Sequence, residues 1–325
     1  MMSILPISPD KPWLAPLAGF SDLPFRQLCR EYGCAVAVTE MVSAKGLVYE
    51  SPGTAELLQT CPQDSPLVVQ LFGSEEYFLL QSIARLRAAG FRFFDLNCGC
   101  PVRKVVKTGS GAALLKEPEQ LAKLAQSLIG ATEPGCMGFK IRLGWSQHVY
   151  LELALELEQL GASWITLHPR TGTQGFTGQA DWSHLEVLKQ RLAIPLIASG
   201  DLFEAEDGVR CMEETGVDGL MFARGALGDP TIFSRYLELR AGKIPAPKTY
   251  AQMTELIRRL STLHAEHNLE RQGLLKMRTL VPRFLKGLPG ARSLRRDIVF
   301  CKTWEEVFAT LATHAPNPSE ESLWN

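Results

Sequence analysis

The residues best suited to chemistry lie in the run DLNCGCP at positions 95–101, which directly follows two phenylalanines. If a buried strand ends in this run, Cys100 lies in the loop at its carboxyl end, between a glycine and a proline. Such loops build the active sites of barrels in which strands and helices alternate, so the Cys100 thiol is a candidate acid or nucleophile. Most free cysteines are small buried hydrophobic residues, and this is our interpretation of six others: Cys29, Cys34, Cys61, Cys136, Cys211 and Cys301.

Short apolar runs that alternate with amphipathic segments predict the elements that position this loop. Eight β-branched or aromatic runs are predicted strands: Trp13–Ala15, Ala35–Val38, Leu67–Leu71, Phe93–Leu96, Gly138–Leu143, Trp164–Leu167, Pro195–Ala198 and Gly219–Phe222. Apolar residues at three- and four-residue spacing predict helices between them: Glu75–Ala89, Pro118–Ile129, Tyr150–Leu160, Trp182–Leu192 and Glu204–Thr215. This alternation predicts an α/β fold, a parallel (β/α)8 TIM barrel. A doubly wound open sheet is the alternative, but no G-x-G-x-x-G motif follows the first strand.

The pattern changes after residue 242. Positions 244–247 read as a linker, and no strand is predicted beyond them. Three helices are predicted instead, with a break at 288–290 and a frayed tail from Pro316: Tyr250–His267, Glu270–Lys286 and Trp304–Thr313. We therefore predict a barrel domain of residues 1–243 followed by a small helical domain of residues 244–325.

The charge of the chain is unevenly distributed. The net charge is −1, yet Lys248 to Glu306 carries twelve Lys or Arg against six Asp or Glu, a net charge of +6. Eight basic residues and no acidic one lie between Arg271 and Arg296. This asymmetry is typical either of a polyanion-binding surface or of a solvated helical face, and charge alone does not separate the two.

Composition limits the class of protein. With 46% hydrophobic and 21% charged residues, the 325-residue chain has the composition of a globular enzyme. No apolar stretch reaches the length of a membrane span, and prolines interrupt the N-terminus where a signal peptide would need an apolar run, so we expect a cytoplasmic protein. The eight cysteines contain no C-x-x-C pair, which argues against a disulfide framework and a structural metal site.

Polar or glycine-rich residues follow each of the eight predicted strands. They are Pro16 to Gly19, Thr39 to Met41, Gln70, Asn97 with Cys100, Lys140 with Arg142, His168 with Arg170, Ser199 to Asp201, and Ala223 to Gly225. Each one alone is compatible with a structural cap or ion pair, but the carboxyl ends of all strands meet at one rim of a barrel. The glycine-containing turns after the last two strands match the phosphate site that is common in this fold.

Seven motifs in the barrel region resemble those of one enzyme family. They are APLAG at 15–19, EMVS at 40–43, VQL at 69–71, NCGCP at 97–101, KIRLG at 140–144, HPRT at 168–171 and SGD at 199–201. In order and spacing, from Trp13 to Phe233, this combination resembles the tRNA-dihydrouridine synthases, and within them the bacterial B-type branch. The resemblance implies a flavin-dependent barrel with a C-terminal helical domain that uses NADPH or NADH to reduce chosen uridines in tRNA to 5,6-dihydrouridine.

The same resemblance implies roles for single residues. Cys100, and not Cys98, is the implied catalytic cysteine. Reduction of the 5,6 double bond of uracil needs a hydride at carbon 6 and a proton at carbon 5 from the opposite face, so Cys100 would donate that proton. An ordinary thiol, with a pKa of about 8.5, is mostly protonated at neutral pH and can do so.

Flavin mononucleotide (FMN) is the implied cofactor. Lys140 would lie beside the pyrimidine part of the flavin, Gln70 at its amide edge, and the segment 16–18 behind its ring. The implied FMN-binding residues are Pro16, Leu17, Ala18, Gln70, Lys140, His168, Ser199, Gly200, Asp201, Ala223 and Arg224. Of these, Gly200, Ala223 and Arg224 would hold the phosphate, although Ala223 stands where the family commonly has glycine. Asn97 and Arg170 are implied near the substrate.

Three classes of function stay open at this point. An RNA-modifying flavoenzyme explains the basic helical region, whose predicted tRNA contacts are Arg278, Arg283, Arg295 and Arg296. A flavin barrel that acts on a free pyrimidine or another small molecule would share the cofactor residues but would not need those arginines, and ribosomal RNA is an alternative substrate. A non-catalytic RNA-binding barrel would not need Cys100, Lys140 and Gln70 together. We expect no membrane and no obligate protein partner.

Overall fold

The computed structural model describes residues 5–287 and 291–315. In this part of the chain the strands are parallel and belong to one sheet. They are β1 (Trp13–Leu14), β2 (Val36–Val38), β3 (Val42–Ser43), β4 (Leu67–Phe72), β5 (Phe93–Cys98), β6 (Met137–Arg142), β7 (Trp164–His168), β8 (Leu196–Ser199) and β9 (Gly219–Phe222). Each of the eight predicted strands is confirmed within two residues, because strands covered on both faces read as continuous apolar runs.

The sheet closes into a barrel with eight strand positions. β1 pairs with β9 on one side and β2 on the other, and β2 pairs with β4. The short strand β3, which the sequence did not predict, pairs with β4 at Leu71 and Phe72, so it continues the position of β2 after a break at 39–41. The TIM-barrel prediction is confirmed, and the open doubly wound alternative is wrong.

Helices follow the strands and cover the barrel. Within residues 5–287 and 291–315 they are α1 (Leu23–Glu31), α2 (Ala44–Val48), α3 (Thr54–Leu57), α4 (Glu76–Ala88), α5 (Arg103–Val106), α6 (Pro118–Gly130), α7 (Tyr150–Gln159), α8 (Ser183–Lys189), α9 (Ala205–Thr215), α10 (Arg224–Gly228), α11 (Ile232–Arg240), α12 (Tyr250–Glu266), α13 (Glu270–Phe284), α14 (Ala291–Ile298) and α15 (Trp304–Thr313), with a 3₁₀ helix at Gly111–Lys116. The five predicted barrel helices correspond to α4, α6, α7, α8 and α9. None of the helices in the described residues has the length and apolar character needed to cross a membrane.

Alternation along each strand separates an interior core from an outer core. In β5, Phe93 belongs to the cluster inside the barrel, whereas Phe94, Leu96 and Cys98 belong to the cluster between barrel and helices. Asp95 and Asn97 therefore lie on the interior side. The amino-terminal half of the interior is closed by Trp13 and Trp164, whose rings meet edge to face at 5.8 Å. Polar side chains follow above this apolar layer.

The helices after residue 249 pack on one side of the barrel. α12 contacts α1, α13 contacts α10, and their apolar side chains continue the outer core. The three helices predicted here are confirmed, and α14 is an additional one. Residues 243–249 form no helix or strand, as the linker prediction requires, while the domain boundary at 243/244 stays a prediction. The predicted break at 288–290 and the predicted tail from Pro316 lie outside the described residues.

Candidate active site

A cavity of about 400 Å³ opens at the carboxyl ends of the barrel strands. This volume lies within the usual range of small-molecule sites. Its wall contains twelve of the predicted barrel-site residues: Pro16, Leu17, Ala18, Asn97, Cys100, Lys140, His168, Ser199, Gly200, Asp201, Ala223 and Arg224. The convergence at one rim that the strand-end pattern predicts is therefore present in the structure.

Cys100 is held in the cavity by hydrogen bonds at its backbone N–H and at its backbone carbonyl. Its N–H donates to Asn97 Oδ1 at 2.9 Å, and its carbonyl accepts from Ala112 N at 3.0 Å. Gly111 makes this approach possible, because it has a φ of +62° and a Cβ there would lie 2.6 Å from the Cys100 carbonyl oxygen. Burial raises the pKa of the Cys100 thiol, so the thiol stays protonated at neutral pH. Cys98, by contrast, is fully buried in the outer core.

Lys140 brings a cation into the same cavity. Its ammonium has no ion pair or hydrogen bond to any of the described residues 5–287 and 291–315, and the nearby carboxyl of Asp95 lies deeper in the barrel, 3% exposed. Burial lowers the pKa of Lys140, the positive charge of Arg142 lowers it further, and the charge of Asp95 opposes both effects. An unpaired cation in a cavity wall favours negative charge on whatever binds beside it.

His168 is neutral in this setting. Burial lowers the pKa of its imidazole well below the usual range, and the surrounding Lys140, Arg142, Arg170 and Arg224 lower it further. Arg170 Nη1 lies 3.0 Å from His168 Nε2, and because a guanidinium only donates, this nitrogen must accept. The proton of the neutral ring is therefore on Nδ1, from which His168 can donate a hydrogen bond, and the ring carries no positive charge at neutral pH.

The carboxylate of Asp201 links the residues that follow β7, β8 and β9. It accepts two hydrogen bonds from Arg170, at 2.9 and 2.7 Å, and one from Arg224 at 3.0 Å. Burial alone would raise the pKa of Asp201, but these hydrogen bonds and charges lower it. The neighbouring Gly200 has a φ of +112°, and a Cβ there would lie 2.6 Å from His168 Cδ2. A glycine is therefore required where the backbone of this turn meets the histidine ring.

Two predicted cofactor or substrate contacts lie behind the cavity wall. Gln70 is fully buried, with its Nε2 donating to Asp95 Oδ1 at 2.6 Å and its Oε1 accepting from Asn97 at 2.8 Å. Arg170 is 1% exposed and is held by Asp201 and by the carbonyls of residues 177 and 178. Neither side chain lines the cavity in the structure, because each is used to fix a neighbour that does.

Comparisons with known proteins identify the family. The sequence profile of the family described as Dihydrouridine synthase matches residues 13–318. The chain belongs to this family. A protein of Synechocystis sp. named "Probable tRNA-dihydrouridine synthase 1" is 35% identical over 289 residues, which is 87% of this chain and 80% of that protein. A "tRNA-dihydrouridine synthase B" of Pseudomonas aeruginosa is 33% identical over 291 residues, covering 88% of this chain and 87% of that protein.

Solved structures agree on the fold of this dihydrouridine synthase. An old yellow enzyme homologue from Zymomonas mobilis superposes with a TM-score of 0.51 at 13% identity, over 73% of this chain and 90% of that one. Histamine dehydrogenase from Rhizobium sp. 4-9 superposes with a TM-score of 0.54 at 11% identity, over 78% of this chain and 49% of that one. Identities this low support the shared barrel fold alone.

The cavity of this dihydrouridine synthase fits a flavin. One wall is apolar, formed by residues 15–18 and Met41, and is suited to the face of an aromatic ring system. Lys140 supplies a cation that has no partner among the described residues, and Ser199, Asp201 and Arg224 supply further polar groups to the wall. The first backbone N–H groups of α10, which begins at Arg224, have no acceptor within this short helix. Among the described residues, no cluster of His, Cys, Asp or Glu has the make-up of a metal site.

Several cavity residues have no predicted role in the sequence analysis. The strand-end pattern includes Met41 and Arg142 without assigning them one, although both line the cavity. Arg142 donates to the carbonyls of Gly99, Thr171 and Gly175, so it fixes the Cys100 loop against the loop after β7. Phe176, half-exposed in that loop, and Phe203 flank the guanidinium of Arg224 at 5.5 and 4.7 Å from their ring centroids. No periodic pattern marks these two phenylalanines in the sequence.

The four predicted RNA-contacting arginines differ in their surroundings. Arg283, Arg295 and Arg296 are exposed, and the guanidinium of Arg283 lies 4.7 Å from the ring of Phe20, two residues after the cavity-lining Ala18. Arg296 forms an exposed ion pair with Asp297 at 3.6 Å. Arg278 is half-buried and donates to the carbonyl of Cys301 at 3.2 Å, which joins α13 to the segment after α14. Three of the four thus face solvent, and the fourth supports the helices.

Proposed function

We propose that this dihydrouridine synthase uses FMN and NADPH or NADH to reduce specific uridines of tRNA to 5,6-dihydrouridine, with Cys100 as the proton donor. The observation that carries the proposal is that a protonated thiol and an ammonium without a partner in residues 5–287 and 291–315 share one cavity with a neutral imidazole. tRNA as the substrate is further supported by the relatives, which are named tRNA-dihydrouridine synthases.

Cys100 is the acid best placed for this reaction. Bound flavin supplies the hydride for carbon 6 of the uracil. Cys100 then gives its proton to carbon 5 from the other face, for which its raised pKa keeps the proton available. The neutral His168 hydrogen-bonds without giving up a proton. Lys140 retains its positive charge beside the pyrimidine part of the flavin and stabilises negative charge there.

Other residues of the cavity wall would bind the cofactor in one orientation. Residues 16–18 would pack against the ring, and Gly200, Ala223 and Arg224 would hold the phosphate. Asp201 acts on the phosphate indirectly, because it orients Arg224 and Arg170. Ala223 has a negative φ of −122°, so the position that is commonly glycine does not need the left-handed backbone that would exclude a methyl group.

The exposed arginines of α13 and α14 are proposed to bind the tRNA backbone. A uridine inside folded RNA must leave its stack before a flavin can cover it, and unstacking costs a few kcal/mol. Phosphate contacts outside the cavity offset that cost. Arg283 is best placed to join the two surfaces, since it lies over Phe20 in the loop that also contributes to the cavity wall.

The proposal is tested with purified protein reconstituted with FMN, NADPH and an unmodified tRNA transcript. We expect dihydrouridine in the digested tRNA by mass spectrometry, and FMN in the supernatant after heat denaturation. Parallel reactions with free uridine and with a ribosomal RNA transcript compare the alternatives. Reduction of free uridine alone, or of ribosomal RNA alone, would overturn the substrate, and release of FAD would overturn the cofactor.

A further inference from the structure

A line of hydrogen bonds runs from the Cys100 loop into the barrel interior and ends at Asp95. The N–H groups of Gly99 and Cys100 donate to Asn97 Oδ1, at 3.2 and 2.9 Å. Asn97 Nδ2 donates to Gln70 Oε1 at 2.8 Å, and Gln70 Nε2 donates to Asp95 Oδ1 at 2.6 Å. Each of these three interior side chains is at most 5% exposed.

The direction of this line is determined at the Cys100 loop. Backbone N–H groups can only donate, so the oxygen of the Asn97 amide must face them and its nitrogen must face Gln70. The oxygen of the Gln70 amide must then face Asn97, which turns its nitrogen toward position 95. Position 95 must therefore present an acceptor. A carboxyl group meets this need in either protonation state, since a proton on Oδ2 leaves Oδ1 free to accept.

Apart from its hydrogen bond with Gln70, the burial of the Asp95 carboxyl group is energetically unfavourable. Asp95 is 3% exposed, and its Oδ2 has no hydrogen-bond partner in the described residues. Burial raises the pKa of Asp95, while the hydrogen bond from Gln70 and the charge of Lys140 lower it less strongly. A carboxyl group that is buried with one oxygen unsatisfied needs a reason that packing does not supply.

We infer that Asp95 is a positioning residue whose acceptor oxygen, acting through Gln70 and Asn97, fixes the loop that presents the Cys100 thiol to the substrate. The inference rests on the proposed function for the role of the thiol, but the hydrogen-bond line itself does not. If the acceptor at position 95 is lost, the Gln70 side chain is no longer held in place, and Asn97 loses the fixed partner of its Nδ2 group. The Cys100 loop then samples positions in which the proton does not reach the base.

Four variants test whether position 95 needs a hydrogen-bond acceptor, a negative charge or only a side chain of the right size. Asp95→Leu keeps the approximate shape and removes the acceptor. Asp95→Asn removes the charge but can still accept through Oδ1. Gln70→Glu places two carboxyl groups against each other. The double variant Gln70→Glu with Asp95→Asn restores the line with donor and acceptor exchanged. In it, the amide introduced at position 95 would donate to one oxygen of the carboxylate introduced at position 70, while Asn97 donates to the other oxygen.

The first readout is the alkylation rate of Cys100 by iodoacetamide as a function of pH, followed on the Cys100 peptide by mass spectrometry. We expect a several-fold change of rate in Asp95→Leu and Gln70→Glu, and rates near that of the wild type in Asp95→Asn and in the double variant. The second readout is the single-turnover reduction of tRNA uridine, which we expect to fall by about 10²-fold in Asp95→Leu if the thiol is displaced by about 1 Å. Reduction of the flavin by NADPH should change far less.

The outcomes distinguish the failure of this inference from the failure of the proposed function. Equal Cys100 alkylation in wild type and Asp95→Leu, or an Asp95→Asn variant as impaired as Asp95→Leu, would overturn the positioning role. So would a double variant no better than Gln70→Glu alone, because a merely structural residue gives no selective rescue. If the wild type does not reduce uridine at all, the proposed function fails, whereas the alkylation rates still decide whether Asp95 positions the loop.

Discussion

The cavity and the helical region both carry positive charge, but they carry it differently. Lys140 lies in the cavity wall and has no partner in the described chain, whereas Arg283, Arg295 and Arg296 face solvent. A charge in a cavity is weakly screened and acts on the group bound beside it. An exposed charge is screened within about 8–10 Å at ordinary salt concentrations and contributes to capture of a polyanion. The first arrangement suits chemistry at one atom, and the second suits salt-dependent binding of RNA.

A third group of basic residues contributes neither to the cavity nor to the exposed surface proposed to bind RNA. Lys276 Nζ lies 2.6 Å from Asp22 Oδ2 and 3.7 Å from Glu40 Oε1, which ties α13 to the barrel. His264 and Lys276 lower the pKa of Asp22 to about 2, although burial alone would raise it. Arg278 holds a carbonyl of its own helical region. In the sequence these residues look the same as their exposed neighbours, so only the structure separates RNA-facing charges from structural ones.

Among the variants that test this comparison, removal of the exposed arginines is expected to have the largest effect, which is on tRNA affinity. The triple variant Arg283→Ala, Arg295→Ala and Arg296→Ala should weaken tRNA binding by about 0.5–1 kcal/mol per residue, or roughly 10- to 100-fold in Kd. Each lost phosphate contact should also lower the slope of log K against log salt concentration by about 1. Filter binding at several salt concentrations measures both quantities.

The control for the triple variant removes two exposed positive charges elsewhere, in Lys123→Ala with Arg191→Ala. Both residues are exposed, and Arg191 lies between α8 and β8, at the end of the barrel opposite to the cavity. The control should bind tRNA as the wild type does. The same Kd and salt slope in wild type and triple variant would remove the helical region from RNA recognition and favour a small-molecule substrate.

Substitution of Lys140 tests the other half of the comparison. Lys140→Met should slow the reduction of bound flavin by NADPH about tenfold, equivalent to about 1.4 kcal/mol, because the cation that stabilises the product charge is gone. Since burial lowers the pKa of Lys140, the wild-type rate should begin to fall at a lower pH than an ordinary lysine would give, as the charge is lost. Stopped-flow absorbance across the pH range measures this, with Lys123→Met as the control. A wild-type pH profile retained in Lys140→Met would contradict the assignment.

Substitution of Lys276 is expected to have the smallest effect on tRNA binding. It tests the distinction between structural and RNA-facing basic residues in the helical region. Lys276→Met should lower the free energy of unfolding by about 1 kcal/mol through loss of its ion pairs, and it should leave the tRNA Kd within about twofold. Denaturant unfolding and tRNA binding by the same variant check the two parts. A loss of tRNA affinity as large as that expected for one exposed arginine would place Lys276 among the RNA contacts instead.

Much of the barrel could be predicted because its signals are local. Each strand is a short apolar run covered on both faces, and the closed order of strands brings the residues at their carboxyl ends together, as found for Cys100, Lys140 and His168. The break between β2 and β3 and the helix α14 were not predicted. Segments of two to eight residues carry too few apolar positions to show a period.

The roles of individual polar residues could be predicted less well. Gln70 and Arg170 are predicted contacts of cofactor or substrate, yet their side chains lie behind the wall, where they hold Asp95, Asn97 and Asp201. Whether a polar side chain faces a ligand or a neighbour depends on residues far away in the sequence. Phe176 escapes prediction for the same reason, because its loop shows no periodicity and is positioned by Arg142 from another strand.

The most direct test of the central claim is a comparison of the two half-reactions in wild type, Cys100→Ala and Cys98→Ala. Flavin reduction by NADPH and the subsequent single-turnover reduction of tRNA uridine are followed separately by rapid mixing. The account predicts that Cys100→Ala retains flavin and its reduction, but slows uridine reduction by about 10²–10⁴-fold, the usual contribution of a positioned acid. Cys98→Ala, a change in the outer core, should leave both half-reactions close to those of the wild type. Uridine reduction at the wild-type rate in Cys100→Ala, or its loss in Cys98→Ala alone, would contradict the claim.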